Sequence, residues 1–429
     1  MGEPAIVARR RGGLLWHRNF RLLWFGETVN QLGSAMALVG VPLLAVIDLH
    51  ASPFVVGALA AAAWLPWLVI GLPAGAWVDR LPVRPLMIIC DLVPAALYAS
   101  VPLAYWLHRL TIAQLLAVEL LAGGAAVFFS TAYQVNLPAL VSDADLVEGN
   151  AKLQGSASAA SLGGRGLAGV IAQALGAVTA LLFNAISFLV SAACLLAIHA
   201  SEPNRKSRRE QFRLRRDIGE GIRLVFADPY LRQLSLFGGA ANFALDGYAA
   251  VVVVFLVRVL GLSAGLVGVL VAVPGVGGLT GALLARRISA RLGTAKTMLV
   301  STLGALPFAL LTPLAAPGPR LAYYVAGILV AATGVGIGNV VQVTFRQIYC
   351  PAGILGRVTT TMRFVAFGTS PLGALAGGTL ATGLGARNAL WIMLGVLAVS
   401  GTVLLTPCFT GRRDLPTAPP ADTPAGVAV

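Results

Sequence analysis

Long apolar stretches follow one another along the chain, separated by short polar connections. A helix needs about 20 mostly apolar residues to cross a membrane, whereas a strand of a membrane barrel alternates apolar and polar residues over about 10 positions. These stretches are long and do not alternate, so they predict an all-α membrane protein. Twelve transmembrane helices are predicted, over residues 22–47, 54–78, 85–107, 111–134, 150–174, 177–199, 231–257, 264–285, 297–315, 321–344, 358–381 and 388–409.

Composition agrees with this pattern. Only 11% of the 429 residues are charged, against about 25% in an ordinary soluble domain, so a soluble enzyme is excluded. The four cysteines and four histidines have no metal-ligand spacing, and we expect neither a metal site nor a cofactor. Gly-x-Gly patterns fall inside an apolar span rather than after a strand, so they predict helix packing and no nucleotide site. The sequence therefore predicts no ATPase.

The formal net charge of +14 would ordinarily suggest a nucleic-acid partner. Its distribution gives a different interpretation. With the N-terminus inside, 26 of the 31 Lys and Arg residues fall on the cytoplasmic side and four on the opposite side. Cytoplasmic loops of membrane proteins are enriched in Lys and Arg. We therefore predict a multi-pass cell-membrane protein with both termini cytoplasmic, surrounded by the lipid bilayer, monomeric and without a nucleic-acid partner.

The longest polar stretch divides the chain into two groups of six spans. Within it, residues 211–227 have helical spacing of apolar positions between arginines. This predicts an amphipathic helix on the inner leaflet; the alternative is a solvated linker without fixed structure. The predicted organisation is a cytoplasmic N-terminus (1–21), a first six-helix bundle (22–199), a cytoplasmic linker (200–230), a second six-helix bundle (231–409) and a disordered tail (410–429).

The two groups of spans show an internal repeat at a shift of 211 residues. Arg21 aligns with Arg232, Gln31 with Asn242, and Arg80 with Arg291. Chance similarity between apolar segments is the alternative, but these polar landmarks argue against it. Two parallel six-helix repeats are typical of secondary transporters, in which the substrate site lies between the repeats near the membrane midplane.

The connection between spans 2 and 3 reads Gly-Ala-Trp-Val-Asp-Arg-Leu-Pro-Val-Arg from residue 75 to residue 84. It resembles motif A of the major facilitator superfamily, G-x-x-x-D-R-x-G-R-R, from which Pro82 and Val83 depart. The resemblance implies a breakable latch between the two bundles, in which the acid pairs with arginine and with a helix N-terminus. Arg357 and Arg363 are candidate partners for that acid. The latch residues are Gly75, Asp79, Arg80, Arg84 and, as a latch member or a structural partner, Asp91.

Further stretches resemble one bacterial branch of that superfamily, the macrolide, multidrug and enterobactin exporters. They lie at residues 19–24, 30–34, 182–188, 356–358, 362–364 and 371–378. The resemblance extends over about residues 17–409 and implies the twelve-helix major facilitator fold. Span 5 reads Gly-Arg-Gly-Leu-Ala-Gly at 164–169, where the family's antiporter motif has G-P-x-x-G-G. Arg165 thus replaces a proline and is predicted about 22 Å into span 5, near the midplane.

Ionisable residues inside a membrane are candidates for function by default. Glu27 begins a polar stripe with residues at i, i+3, i+4 and i+7, which share one face of a helix. Asn242 and Asp246 form a matching pair on span 7, so the two stripes are predicted to face each other across a central cavity. A purely structural hydrogen-bond network is the alternative. The predicted proton carriers are Glu27, Asp246 and Glu119, and the predicted cavity residues are Asn30, Gln31, Ser34, Arg165, Asn242, Phe243 and Tyr248.

These features predict a proton-coupled secondary transporter that exports a hydrophobic or amphipathic small molecule by rocker-switch alternating access. Protonation of Glu27 or Asp246 would alternate with substrate binding. An importer or facilitator of a small metabolite is the first alternative, because Arg165 offers a cation for an anionic substrate. A non-transporting membrane sensor is the second. Glu119 could equally form a buried ion pair with Arg165.

Overall fold

A computed structural model describes residue 14 and residues 17–78, 81–140, 146–198 and 214–418. These residues form helices joined by short connections, and no strand occurs among them. The helices are α1 (Arg18–Leu43), α2 (Pro53–Val78), α3 (Val83–Trp106), α4 (Ile112–Leu140), α5 (Leu146–Leu175), α6 (Ala177–Ala197), α7 (Leu214–Ala227), α8 (Pro229–Val254), α9 (Ala264–Leu292), α10 (Thr294–Leu299), α11 (Leu321–Tyr349), α12 (Ala352–Gly368), α13 (Ser370–Leu384), α14 (Ala386–Ser400) and α15 (Pro407–Thr410).

Several helices change their winding at one end. Short π-helical or 3₁₀-helical segments continue α1, α8, α10 and α14, and another precedes α11. The π-helical segments are Leu44–Asp48, Phe255–Val259 and Val300–Gly304, and the 3₁₀-helical segments are Leu306–Leu314, Gly318–Arg320 and Gly401–Leu404.

The all-α membrane architecture predicted from the sequence is confirmed. Within the described part of the chain, eleven helical segments are long and apolar enough to cross a membrane. The helix α5 has 30 residues and packs against α1 and α9, but its serines, glycines and Arg165 make it less apolar than the others. With α5 included, the architecture is consistent with the twelve predicted spans. The eleventh predicted span comprises two helices, α12 and α13, which meet at Thr369.

The internal repeat is visible in the helix bounds. The first helix of each bundle begins at residue 18 or residue 229, and its π-helical end begins at residue 44 or residue 255. The second helix of each bundle begins at residue 53 or residue 264. All three pairs are separated by the 211 residues that the sequence predicts, so α8 and α9 occupy the places of α1 and α2 in the second bundle.

Two faces of the molecule serve as reference. The terminal face is the end at which α1 begins, at Arg18, and the hairpin face is the opposite end, at the turn between α1 and α2 over residues 49–52. Arg165 is 19 residues from the first residue of α5 and 10 from the last. At 1.5 Å per residue it lies about 28 Å along the helix, in the hairpin half. The distance along the helix exceeds the predicted distance of about 22 Å, because α5 begins four residues earlier than expected.

The two bundles are in close contact in the hairpin half. Glycines permit this contact: a Cβ atom on Gly268 of α9 would lie 2.5 Å from the Cα atom of Gly169 of α5. On the other side of the molecule, a Cβ atom on Gly57 of α2 would lie 2.9 Å from the Cα atom of Gly378 of α13. Real Cβ atoms do not approach so closely, so larger side chains at these positions would force the helices apart.

Hydrogen bonds across the hairpin face reinforce this closure. Arg258, at the end of α8, donates through Nη2 to the carbonyl oxygens of Val46 (3.3 Å) and Ala51 (2.8 Å) in the first bundle. The backbone N–H of Gly265 donates to Oε1 of Gln173 at 2.9 Å. All of these bonds link the first bundle to the second, so opening the hairpin face requires breaking them.

The linker contains the predicted helix, α7, although residues 211–213 of the expected segment lie outside the described residues. Gly221 packs near Thr361 of α12, and Val225 is buried. Ile222 and Phe226 are 41% and 37% exposed, so α7 has an apolar edge on its outer side. Asp228 caps the next helix, because its Oδ1 atom accepts from the N–H groups of residues 230 and 231.

Candidate functional site

A cavity of about 440 Å³ lies in the terminal half of the first bundle. The polar stripe of α1 lines it as the spacing predicts, with Glu27, Asn30, Gln31 and Ser34 all facing the same space. The cavity reaches the surface near Asn150, an exposed residue five positions into α5 that also lines it. Its aromatic wall consists of Trp67, Phe129, Tyr133 and Phe188.

The carboxyl group of Glu27 has one engaged oxygen atom and one without a hydrogen-bond partner. Nε2 of Gln31 donates to Oε1 of Glu27 at 2.8 Å. The Oε2 atom is buried and has no hydrogen-bond partner among the described residues. Buried polar atoms are nearly always hydrogen-bonded, so an atom without a partner is available for a proton or for a donor group of a ligand.

Asp91 adjoins this stripe from α3. Its Oδ1 atom accepts from Nδ2 of Asn30 at 3.4 Å, and its side chain is fully buried. Arg84 lies elsewhere: it donates to the carbonyl oxygens of Leu195 (2.9 Å) and Leu196 (2.7 Å) at the end of α6. The two residues grouped as latch members are therefore apart, because Arg84 is in the first turn of α3 and Asp91 is two turns deeper.

Of the remaining motif A residues, Gly75 lies within α2 near its end. Asp79 and Arg80 lie outside the described residues. The latch stays a prediction from the resemblance.

A second cavity, of about 420 Å³, lies in the second bundle. Its lining on α8 includes Gly238, Ala241, Asn242 and Leu245. Each of these residues follows one member of the α1 stripe by 211 positions. The repeat therefore places two cavities in equivalent positions, one in each bundle, and Glu27 corresponds to Gly238.

Polar and basic residues of α11 and α12 complete the second cavity. Asn339, Gln342 and Arg346 lie on α11 at i, i+3 and i+7, and Arg363 lies on α12. From the sequence, Arg346 and Arg363 are attributed to membrane orientation or to the latch. They are therefore not predicted as cavity residues. The same spacing that identified the α1 stripe is present on α11 and could have identified them.

Aromatic side chains connect the two cavities. Phe367 lines the second cavity and stacks on Trp64 of α2, with ring centroids 5.4 Å apart and an interplanar angle of 22°. The same ring is 5.7 Å from Trp67, which lines the first cavity. One aromatic contact between the bundles thus lies between the lining of the first cavity and that of the second.

Three predicted site residues of α8, the proton carrier Asp246 and the cavity residues Phe243 and Tyr248, line neither of these two spaces. Asp246 lies beside Ser370 of α13, whose side chain interacts with its carboxyl group. Tyr248 is buried, with its hydroxyl oxygen 2.9 Å from that of Tyr324. The backbone of Phe243 packs directly against Gly373 of α13, where a Cβ atom would collide with the carbonyl group of Phe243. The reason is the close packing of α13 on α8, which the sequence pattern alone does not reveal.

Glu119 and Arg165 do not pair with each other. The hydroxyl group of Tyr98 donates to Oε1 of Glu119 at 3.0 Å. Among the described residues, the one ion pair within 4 Å joins Lys152 and Glu148 at 3.5 Å. The Nε atom of Arg165 is buried without a hydrogen-bond partner, and its guanidinium group lies within electrostatic range of Tyr248.

The sequence profile of the Major Facilitator Superfamily matches residues 23–371, which is most of the chain. The chain belongs to the Major Facilitator Superfamily. The fold, the repeat and the paired cavities agree with this membership. The protein is accordingly a multi-pass membrane transporter and not an enzyme.

Two relatives within the superfamily are similar along nearly their whole length. The multidrug efflux pump Tap of Mycobacterium tuberculosis is 26% identical over 415 residues, which cover 94% of this chain and 96% of the relative. The multidrug efflux pump Tap of Mycolicibacterium fortuitum is 28% identical over 410 residues, which cover 91% and 96%.

Among solved structures of the superfamily, a bacterial homologue of the iron transporter ferroportin shares the fold. Its inward-facing form has a TM-score of 0.72 at 16% identity and covers 92% of this chain and 99% of its own. Its outward-facing form has a TM-score of 0.60 at 17% identity and covers 92% and 100%. Both forms share the fold of this chain.

Proposed function

We propose that this protein exports hydrophobic or amphipathic small molecules across the cell membrane in exchange for protons. Its similarity to two proteins named multidrug efflux pumps supports the direction and the broad substrate class. The absence of a nucleotide-binding pattern in the sequence supports a gradient as the energy source.

The observation on which the proposal depends is Glu27. The carboxyl group of Glu27 lies at the wall of the first cavity. Its Oε1 atom accepts a hydrogen bond from Gln31, and its Oε2 atom has no partner among the described residues. A carboxyl group in that position can accept either a proton or a donor group of the substrate. Mutually exclusive occupation by the two is the requirement for antiport.

Alternating access is proposed from the contrast between the two halves of the molecule. The bundles are joined in the hairpin half by glycine contacts and by the hydrogen bonds of Arg258 and Gln173. Both cavities lie in the terminal half. With the termini in the cytoplasm, as the distribution of Lys and Arg favours, this arrangement is the inward-facing state, which takes up substrate from the cell.

Asp246 and Glu119 stay predicted proton carriers, but the structure supports each of them less well than Glu27. Each carboxyl group has a hydroxyl partner on a neighbouring helix, Ser370 for Asp246 and Tyr98 for Glu119. Neither lines the two cavities. A role for them would require a conformation in which those contacts are broken.

Inside-out membrane vesicles with an acidic lumen test the proposal. With the termini cytoplasmic, the cavities face the outside of such vesicles, and the protein should accumulate fluorescent ethidium and ciprofloxacin in the lumen. Dissipating the pH gradient with nigericin should abolish this accumulation. Accumulation that persists without the gradient would overturn proton antiport, and a lack of protein-dependent accumulation of both compounds would overturn export of amphipathic molecules.

A further inference from the structure

The second cavity has two arginines and no acidic partner for them among the described residues. Arg346 and Arg363 both line it, and they lie within electrostatic range of each other. No described carboxylate lies within 4 Å of either. Arg346 makes a weak contact, from Nη1 to the sulfur of Met362 at 3.8 Å.

The sequence of the second bundle leaves little opportunity for such a partner. Between residues 229 and 409 there are eleven Lys and Arg residues and a single acid, Asp246. Asp246 lies beside Ser370 of α13 and does not line the cavity. The amide side chains that line the cavity, those of Asn242, Asn339 and Gln342, are neutral.

Membrane orientation does not account for both arginines. Arg346 is three residues from the terminal end of α11 and could serve as an ordinary positive-inside charge. Arg363 is eleven residues into α12, which corresponds to about 16 Å from the start of the helix. A cation at that depth is expensive unless it has a partner or lines a water-filled space. Guanidinium groups bind planar acidic groups through paired hydrogen bonds.

The opposite end of the combined site has the opposite charge. The aromatic contact of Trp67 with Phe367 joins the cavity of the two arginines to the cavity of Glu27. A ligand that occupied both cavities would meet a carboxyl group in the first bundle, flat aromatic surfaces in the middle and a pair of guanidinium groups in the second bundle. Complementary charges across a site select the ligand and its orientation.

We propose that Arg346 and Arg363 form a subsite for an acidic group of the substrate, and that the preferred substrates are amphoteric. Their acidic group occupies the second cavity, their flat apolar body packs against Phe367 and Trp67, and their amine points towards Glu27. This inference rests on the proposed function, because it takes the two cavities to be the substrate site.

Three matched ligands test the subsite in binding measurements on the purified protein. Ciprofloxacin has a carboxylate and an amine at opposite ends of a flat ring system, its carboxamide lacks the acid, and its N-acetyl derivative lacks the amine charge. The wild type should bind ciprofloxacin about ten-fold more tightly than the carboxamide, the usual order for a charge-assisted hydrogen bond. Arg363→Ala and Arg346→Ala should remove this preference by weakening ciprofloxacin alone.

Two variants serve as controls. Arg357→Ala removes an equal charge from α12 at a residue that does not line the cavity, and it should retain the full preference for ciprofloxacin over the carboxamide. Glu27→Gln should instead remove the preference for ciprofloxacin over its N-acetyl derivative. Undiminished binding of the carboxamide shows that the arginine variants are folded. Equal losses for ciprofloxacin and its carboxamide, or no loss for either, would overturn the subsite.

This experiment is separable from the test of transport, because binding to the purified protein involves no gradient. Charge-dependent binding together with gradient-independent accumulation would retain the subsite and overturn antiport. Gradient-dependent accumulation of ethidium together with charge-independent binding would retain antiport and overturn the subsite.

Discussion

The two cavities occupy equivalent places in the repeat but differ in chemistry. In the first bundle, α1 presents Glu27 to its cavity; in the second, α8 presents Gly238 at the equivalent position. The second cavity instead receives Arg346 and Arg363 from α11 and α12. The fold has thus retained the position of the cavity in both bundles, while the ionisable groups around it differ in sign and in the helix from which they come.

This difference suggests a division of labour. A group that exchanges a proton must lose its hydrogen-bond partner easily, and the Oε2 atom of Glu27 has none among the described residues. A group that holds a substrate's acid must stay charged, and arginine stays protonated under nearly all conditions. In the proposed account the first bundle handles the proton, the second holds the substrate's acid, and the aromatic contact between them holds its apolar body.

The largest expected effect concerns Glu27. Glu27→Gln keeps the hydrogen-bonding shape of the side chain but removes the exchangeable proton, so gradient-driven accumulation of ethidium should fall at least about ten-fold. Glu148→Gln is the matched control, because Glu148 pairs with Lys152 at the terminal face and lines neither cavity. It should transport like the wild type. Normal gradient-driven transport by Glu27→Gln would exclude that residue from coupling.

A second prediction concerns closure of the hairpin face. A Cβ atom on Gly169 would collide with Gly268, whereas one on Gly166 of the same helix would meet nothing within 4 Å. Gly169→Val should therefore hold the bundles apart and slow transport roughly five- to ten-fold, because packed helix interfaces do not yield to added bulk. Gly166→Val should have little effect.

Spin labels measure the separation directly. Ser52 and Ser263 are exposed at the hairpin face, one in each bundle, and can be labelled after the four native cysteines are replaced. The distance between the labels should increase in Gly169→Val and stay unchanged in Gly166→Val. Unchanged distances and transport in Gly169→Val would contradict the assignment of this contact as the closure.

A third prediction introduces the chemistry of the first cavity into the second. A Cβ atom on Gly238 would meet nothing within 4 Å, so a larger side chain has room to enter the cavity. Gly238→Glu would place a carboxylate near Arg346 and Arg363, and ciprofloxacin binding should weaken roughly three- to ten-fold by competition for the guanidinium groups. Gly238→Gln provides the same bulk without the charge. Equal weakening by both variants would indicate steric exclusion instead.

The smallest effect is expected at Glu119. Tyr98→Phe removes the hydroxyl group that donates to Glu119 and should lower the free energy of unfolding by about 1–3 kcal/mol, the range for leaving a buried acceptor without its partner. Transport should stay within about two-fold of the wild type. The control is Tyr105→Phe, because Tyr105 lies on the same helix as Tyr98 and its hydroxyl group donates to Asp48 instead. If Tyr98→Phe loses the gradient dependence of transport and Tyr105→Phe keeps it, Glu119 would be a proton carrier.

Local periodicity predicted the features that depend on one helix at a time. The polar stripe of α1 stands out because four polar residues at helical spacing interrupt an apolar span, and the repeat extended that prediction to Asn242 on α8. Asp246 does not line a cavity because α13 packs on α8, and no local sequence pattern encodes that packing. Arg346 and Arg363 were obscured because a positive charge near a loop already has an explanation in membrane orientation. The contact of Trp67 with Phe367 joins residues 300 positions apart, beyond the range of any local pattern.

Proton release on substrate binding tests the central claim most directly. Ciprofloxacin added to the purified protein in weakly buffered solution, near neutral pH, should displace the proton from Glu27, and a pH-sensitive dye should report about one proton per bound molecule. The account predicts this release for the wild type and none for Glu27→Gln. Equal release from both proteins, or binding without release by the wild type, would contradict it.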